Sequence, residues 1–219
     1  MEKADTNSSS PTETSNVDNH ARLANGSYRG AAVDGYDIDH ELSNRDRTVY
    51  HNKEGKAVVA FRGTDLSGRD NKWRDLGADA LIGLGLQHLS KRFQGANKTT
   101  DQALKKYGAE NVSLTGHSLG GTQSLYVHKK HPELNLETHA FNPGLSPLDV
   151  KRSKGAFHPQ KLLTALGPGE FGNRVHIHAV RKDVIGALAP YLHGAKTHMY
   201  DAKIRGNPHA LKNFLTGMS

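Results

Sequence analysis

The sequence predicts an α/β fold, a mostly parallel sheet covered by helices on both faces, and three observations carry that expectation. Short apolar runs of strand length recur along the chain, segments of helical character lie between them, and several runs end in turn-forming residues. Strands that alternate with helices are joined by crossovers, which makes their pairing parallel and covers both faces of the sheet. At 219 residues the chain is long enough for one well-buried domain and short for two.

The elements follow in order. Residues 1–24 are rich in Ser, Thr, Asn and acids and nearly devoid of large apolar side chains. Such a segment buries too little surface to offset its ordering entropy, so it is expected to be a disordered polar tail preceding one domain over residues 25–219. TVYHN (48–52) and AVVAF (57–61) flank the turn-like KEGK and read as two strands. Thr99 to Tyr107 has helical character, VSLT (112–115) is a strand, and Leu119 to His131 is a helix ending just before Pro132. ETHAF (137–141) ends at Asn142-Pro143-Gly144, VHIHAV (175–180) ends before Arg181-Lys182-Asp183, and KTHMY (196–200) reads as the last strand. There is no internal repeat.

Composition excludes several classes of function. With no cysteine, neither disulfides nor thiolate chemistry is available. No window approaches the roughly 18 consecutive apolar residues of a membrane span, and the N-terminal residues lack the apolar core of a secretory signal. The expectation is a soluble, intracellular (cytoplasmic) protein. The net charge of +7 is unevenly placed: residues 151–219 hold eleven bases against three acids, Glu170, Asp183 and Asp201. A field of that sign attracts anionic partners, such as phospholipid headgroups or nucleic acid. No nucleic-acid module is present and the basic residues lack aromatic partners, so a nucleic-acid role is disfavoured against an anionic membrane surface.

The chemistry concentrates in Gly116-His117-Ser118-Leu119-Gly120, which fits the G-x-S-x-G elbow that holds a serine hydroxyl above a sheet. The pentapeptide alone is a weak signal, but it follows a strand and opens a helix, the order the mechanism requires. Gly116 and Gly120 allow the backbone to cross itself closely, and the helix N-terminus points its free amides and positive dipole end at Ser118. Acyl transfer also needs donors for the oxyanion. The Leu119 amide supplies the first, and the Thr64 amide, in the turn after the strand ending FRG, supplies the second.

FRGT (61–64), KWRDL (72–76) and SLTGHSLGG (113–121) together resemble the class 3 (fungal-type) lipase family of α/β-hydrolases, over roughly residues 45–219. The resemblance implies the α/β-hydrolase fold, a Ser-Asp-His triad in that chain order, an oxyanion donor just after FRG and a lid-like segment between FRGT and the elbow. Carboxylic ester substrates, often lipids, would follow, with no metal or organic cofactor. FNPG (141–144) and Thr122 depart from the family pattern, where G-x-P-R and alanine are usual.

Asp183 meets the requirement for an acid at a strand end beyond the elbow, with Asp149 and Asp201 as rivals. His209, in HALKNFL, resembles the stretch that carries the base near the end of several family members. His193 and His198 compete with it, since the chain holds fourteen histidines. The resulting assignment is Ser118, Asp183 and His209 as the catalytic residues, with Thr64 and Leu119 as oxyanion donors. The apolar segments 78–89 and 184–192 either touch acyl chains or belong to the core. The alternative function is a catalytically idle hydrolase fold kept as a structural or binding protein. Oligomeric state is left open.

Overall fold

A computed structural model of the chain describes residues 11–64, 86–144, 171–181, 183, 194–203, 207 and 209–215. They build a seven-stranded sheet whose strands lie side by side in chain order. β1 (Asp37–Ile38), β2 (Arg47–His51) and β3 (Ala57–Phe61) form an antiparallel meander. From β3 onward the pairing is parallel through β4 (Val112–His117), β5 (Glu137–Phe141), β6 (Val175–Val180) and β7 (Lys196–Tyr200). The chain therefore has the expected mostly parallel α/β architecture.

Strand order in chain order has a consequence for the helices. Right-handed crossovers that step one way across a sheet leave their helices on one face. Helices α2 (Leu86–Tyr107) and α3 (Leu119–Lys130) pack on each other and on β3, β4 and β5. Their side of the sheet is apolar: Val59, Phe61, Ala96, Ala103, Val112, Leu114 and Val127 form one buried cluster. Leu125, Ala140, Val175, Ile177 and Ala179 form the next.

The opposite face needs its own cover, and the N-terminal segment supplies it. Pro11–Gly26 is a helix, α1, packed on β3, β4 and β5. The disordered tail expected over residues 1–24 is thus corrected for residues 11–24; residues 1–10 lie outside the described residues. Ala21, Leu23 and Ala24 are fully buried. Burial of the Leu23 side chain alone contributes roughly 1.5–3 kcal/mol. Polar contacts complete the docking: His20 Nε2 lies 3.1 Å from Ser113 Oγ, Thr115 Oγ1 donates to the His20 carbonyl at 3.2 Å, and Asn16 Nδ2 donates to Glu137 at 2.6 Å.

The sheet residues under and beside α1 combine apolar side chains, Val58, Ala60 and Phe141 among them, with a row of histidines. His139 on β5, His176 and His178 on β6 and His198 on β7 share this face, and His20 stacks on His139 with ring centroids 4.1 Å apart. Their hydrogen bonds have a single direction. The Glu137 carboxylate can only accept, so His139 Nε2–H donates to it at 3.2 Å. Neutral His139 must then accept at Nδ1, 3.0 Å from His178 Nε2, and His178 accepts at Nδ1 from the Tyr200 hydroxyl at 2.9 Å. Burial lowers the pKa of His139 to about 3 and that of His178 well below its ordinary value, so both stay uncharged. Among the described residues, no group of three or more His, Asp or Glu side chains could hold a metal ion. No helix there is long and apolar enough to cross a membrane.

Candidate active site

Parallel pairing in register brings the carboxyl ends of β3, β4, β5 and β6 to one edge, with Phe61 opposite Gly116, His117 opposite Phe141, and Phe141 opposite His178. In open α/β sheets this edge is where ligands bind. The residues that follow those strands are Arg62-Gly63-Thr64, Ser118, Asn142 and, beyond Arg181, Asp183.

Ser118 stands between β4 and α3 with φ 57° and ψ −124°, backbone that a side chain rarely adopts. Two glycines make the turn feasible. A Cβ on Gly116 would run into the backbone of Gly120, and one on Gly120 into the Phe61 carbonyl, so strand, helix start and the neighbouring strand end touch backbone to backbone. The turn is stitched to β5 as well: Ser118 N–H donates to the Phe141 carbonyl at 3.0 Å, and Gly144 N–H to the Ser118 carbonyl at 3.1 Å. FNPG, the departure from the family pattern, is therefore bonded directly to the peptide of the serine. Ser118 is half-buried, at the N-terminal end of a helix whose first residues are buried.

Asp183 and His209 come together as a buried pair. His209 Nδ1–H donates to Asp183 Oδ2 at 2.9 Å, and both side chains are almost fully out of solvent. The acceptor fixes the tautomer, leaving Nε2 as the basic nitrogen, and Nε2 is buried with no hydrogen-bond partner among the described residues. The segment is held by Leu211, Phe214 and Leu215, which bury beside Ala21 and Ala24 of α1 and Phe141. Asp183 N–H donates to the Val180 carbonyl at 3.0 Å, a tight turn off the end of β6.

The two rivals among the described residues stand elsewhere. Asp201 is 92 % exposed and pairs with Arg181 at 3.4 Å. His198 belongs to the histidine row, with Nε2 3.2 Å from His176 Nδ1. Asp149 and His193 lie outside the described residues, as do KWRDL, segment 184–192 and all of segment 78–89 before Leu86. Thr64 is half-buried in the loop after β3; that loop abuts the elbow, for a Cβ on Gly63 would sit 2.6 Å from the His117 carbonyl.

Sequence reasoning missed a layer behind these residues. His117, the variable position of the pentapeptide, places Nε2 2.8 Å from the His209 carbonyl and Nδ1 2.9 Å from the Tyr28 hydroxyl. Asn142, at φ 39°, donates Nδ2–H to the same carbonyl at 3.3 Å and accepts from Val180 N–H at 2.9 Å. A histidine directly before the serine, and an asparagine before proline at a strand end, are the signals the sequence offers.

No protein-family model matches the chain. Over 121 residues it is 27 % identical to a GDSL esterase/lipase of Arabidopsis thaliana, a match spanning 54 % of this chain and 34 % of the relative, about a third of its length. Solved structures similar to it include a triacylglycerol lipase of Penicillium expansum, with a TM-score of 0.54 and 12 % identity over 92 % of this chain and 84 % of that one. A Rhizomucor miehei lipase propeptide complex gives a TM-score of 0.54 and 16 % identity over 89 % and 69 %. Lipase II of Rhizopus niveus gives 0.52 and 15 % over 87 % and 82 %. At such identities the likeness is one of fold, and the fold is that of the α/β-hydrolases.

Proposed function

We propose that the chain is a serine carboxylic ester hydrolase acting on lipid esters, as a lipase or phospholipase of the class 3 (fungal-type) kind. One observation carries the reading: a serine held at φ 57° on a strand-to-helix elbow stands at the same sheet edge as a buried histidine bonded to an aspartate at 2.9 Å. In this reading His209 Nε2 takes the Ser118 proton as the hydroxyl attacks the ester carbonyl. Asp183 holds the imidazole in its tautomer and stabilises the cation. The Thr64 and Leu119 amides bind the oxyanion, with the dipole of α3 aligned behind Leu119. Collapse expels the alcohol, which receives the proton from His209, and leaves an acyl-enzyme. Water, deprotonated by His209 in turn, releases the carboxylic acid and restores the serine. Nε2, which has no partner among the described residues, suits this role, since nucleophile and base often close only in the substrate complex.

The basic C-terminal third gives the substrate reading its direction. Lys203 and Lys212 are exposed on the segment that carries His209, and Lys196 is exposed on β7. Cations there would draw the site to an anionic lipid surface. Hydrolysis of vesicle lipid should rise with anionic lipid content and fall as salt screens the attraction, and indifference to both would leave the charge as a solubility feature.

The deciding experiment combines a fluorophosphonate probe with p-nitrophenyl esters of graded chain length, a phospholipid and a triglyceride. Wild type should be labelled and active; Ser118→Ala should lose both. His209→Ala should lower kcat by roughly 10⁴-fold. A folded wild type that is neither labelled nor active points instead to an idle hydrolase fold used for binding.

A further inference from the structure

We propose that Tyr28 and His117 are positioning residues for the base: the Tyr28 hydroxyl locks His117 in the tautomer whose Nε2–H holds the His209 backbone against Asp183 and Ser118. The inference rests on the hydrolase reading above and goes beyond it, because it makes the N-terminal segment part of the catalytic apparatus.

The hydrogen-bond directions force the roles. The His209 carbonyl can only accept, so His117 Nε2 must carry the proton at that 2.8 Å contact. In a neutral imidazole Nδ1 is then an acceptor, and the Tyr28 hydroxyl donates to it at 2.9 Å. Were the proton on Nδ1, an Nε2 lone pair would face the carbonyl lone pairs and the contact would become repulsive. Burial, and secondly the neighbouring His209, lower the His117 pKa to about 3, so His117 offers one donor and one acceptor across the working pH range. Neutrality matters because the rings of His117 and His209 are 4.8 Å apart; a charged His117 would oppose the imidazolium that His209 becomes.

The His209 carbonyl has a second donor in Asn142 Nδ2 at 3.3 Å. Two donors on the carbonyl and one carboxylate on Nδ1 hold the peptide and the ring of the same residue. Tyr28 reaches His117 because it sits in the turn that closes α1, with its N–H bonded to the Asn25 carbonyl at 3.2 Å. The site's geometry thereby depends on α1 docking against the polar face of the sheet.

A mutant cycle with soluble p-nitrophenyl acetate tests the proposal. His117→Phe keeps an aromatic ring and removes the donor; kcat should fall ~10–100-fold with KM little changed, the signature of lost organisation in the transition state. His117→Gln puts an amide N–H where Nε2 was and should recover kcat to within ~3-fold of wild type. Tyr28→Phe should cost ~10-fold in kcat in the wild-type background and almost nothing in the His117→Gln background, because glutamine has no tautomer to lock. A packing role would instead make the Tyr28→Phe cost the same in both backgrounds, and that result overturns the proposal. So does a His117→Phe enzyme with normal kcat. Nitrogen NMR of His117 gives a readout apart from activity: wild type should show a protonated Nε2 and an unprotonated Nδ1, and Tyr28→Phe a mixture. A wild type that is folded yet inactive and unlabelled overturns the hydrolase reading itself, whereas an active wild type with an insensitive His117 overturns only this inference.

Discussion

The two faces of the sheet solve the same packing problem with different chemistry. Under α2 and α3 the strands present Val59, Phe61, Val112, Leu114 and Ile177, and stability there comes from removing apolar surface from water. Under and beside α1 the same strands present Ser113, Thr115, His117, His139, His176 and His178, and burial is tolerated only because their polar atoms find partners. The first kind of packing is insensitive to pH and forgiving of exact atom positions. The second has a fixed proton arrangement, and it is the one that reaches the sheet edge of the candidate site through His117 and Tyr28.

Acid should break the polar face first and produce the largest effect. His139 and His117 have folded-state pKa values lowered to about 3 from 6.5, and those of His20 and His178 are lowered too, all chiefly by burial. A depressed histidine pKa means the unfolded chain binds the extra proton. Stability is therefore intact above pH 6.5 and declines as pH falls from there towards 3. Linkage gives up to about 2 kcal/mol per such histidine by pH 5, so several acting together should lower the unfolding free energy by several kcal/mol. Urea unfolding at pH 7.5 and 5 measures this; equal midpoints would contradict the buried neutral row. His128, on the other face, is also lowered by burial and adds to the same trend.

Leu114→Ala probes the apolar face. The side chain is fully buried, so truncation should cost about 2–5 kcal/mol. The comparison predicts that this cost is the same at pH 7.5 and 5, where a cost that varied with pH would mean the two faces are coupled.

Glu137→Gln acts at the end of the histidine chain. The carboxylate accepts from His139 and Asn16 and lies 3.3 Å from Arg174; His139 foremost, with His20 and Asn16, holds its pKa well below the usual carboxylate range. Removing the charge should cost roughly 1.5–3 kcal/mol at neutral pH, measured by the same unfolding curves. Asp18→Asn should matter least. Its 2.6 Å pair with Arg22 is an i, i+4 contact within α1 whose Arg22 side is exposed, and its loss should change stability by about 0.5 kcal/mol.

Legibility followed the same division. AVVAF, ETHAF, VHIHAV and KTHMY are strands over the residues read from the sequence, because a short β-type run needs no partner to be seen. The elbow was equally plain, since glycine spacing reports a backbone crossing that other residues obstruct. The N-terminal helix escapes a reading by composition, because composition is not a measure of burial. Its stripe of Val17, His20, Ala21 and Ala24 is narrow and small, and no large apolar face is required when the surface beneath offers hydroxyls, imidazoles and a carboxylate.

By itself the sequence determined the alternation of strands and helices and the serine at the turn. Those are local properties, written in periodicity and in residues with special backbone freedom. Only the tertiary structure decided which aspartate and histidine meet, that FNPG is tied to the serine peptide, and that Tyr28, 89 residues before His117, donates to it. A hydrogen bond between residues so far apart depends on register and on which face a helix covers, and a one-residue shift of β4 would turn His117 to the other side of the sheet.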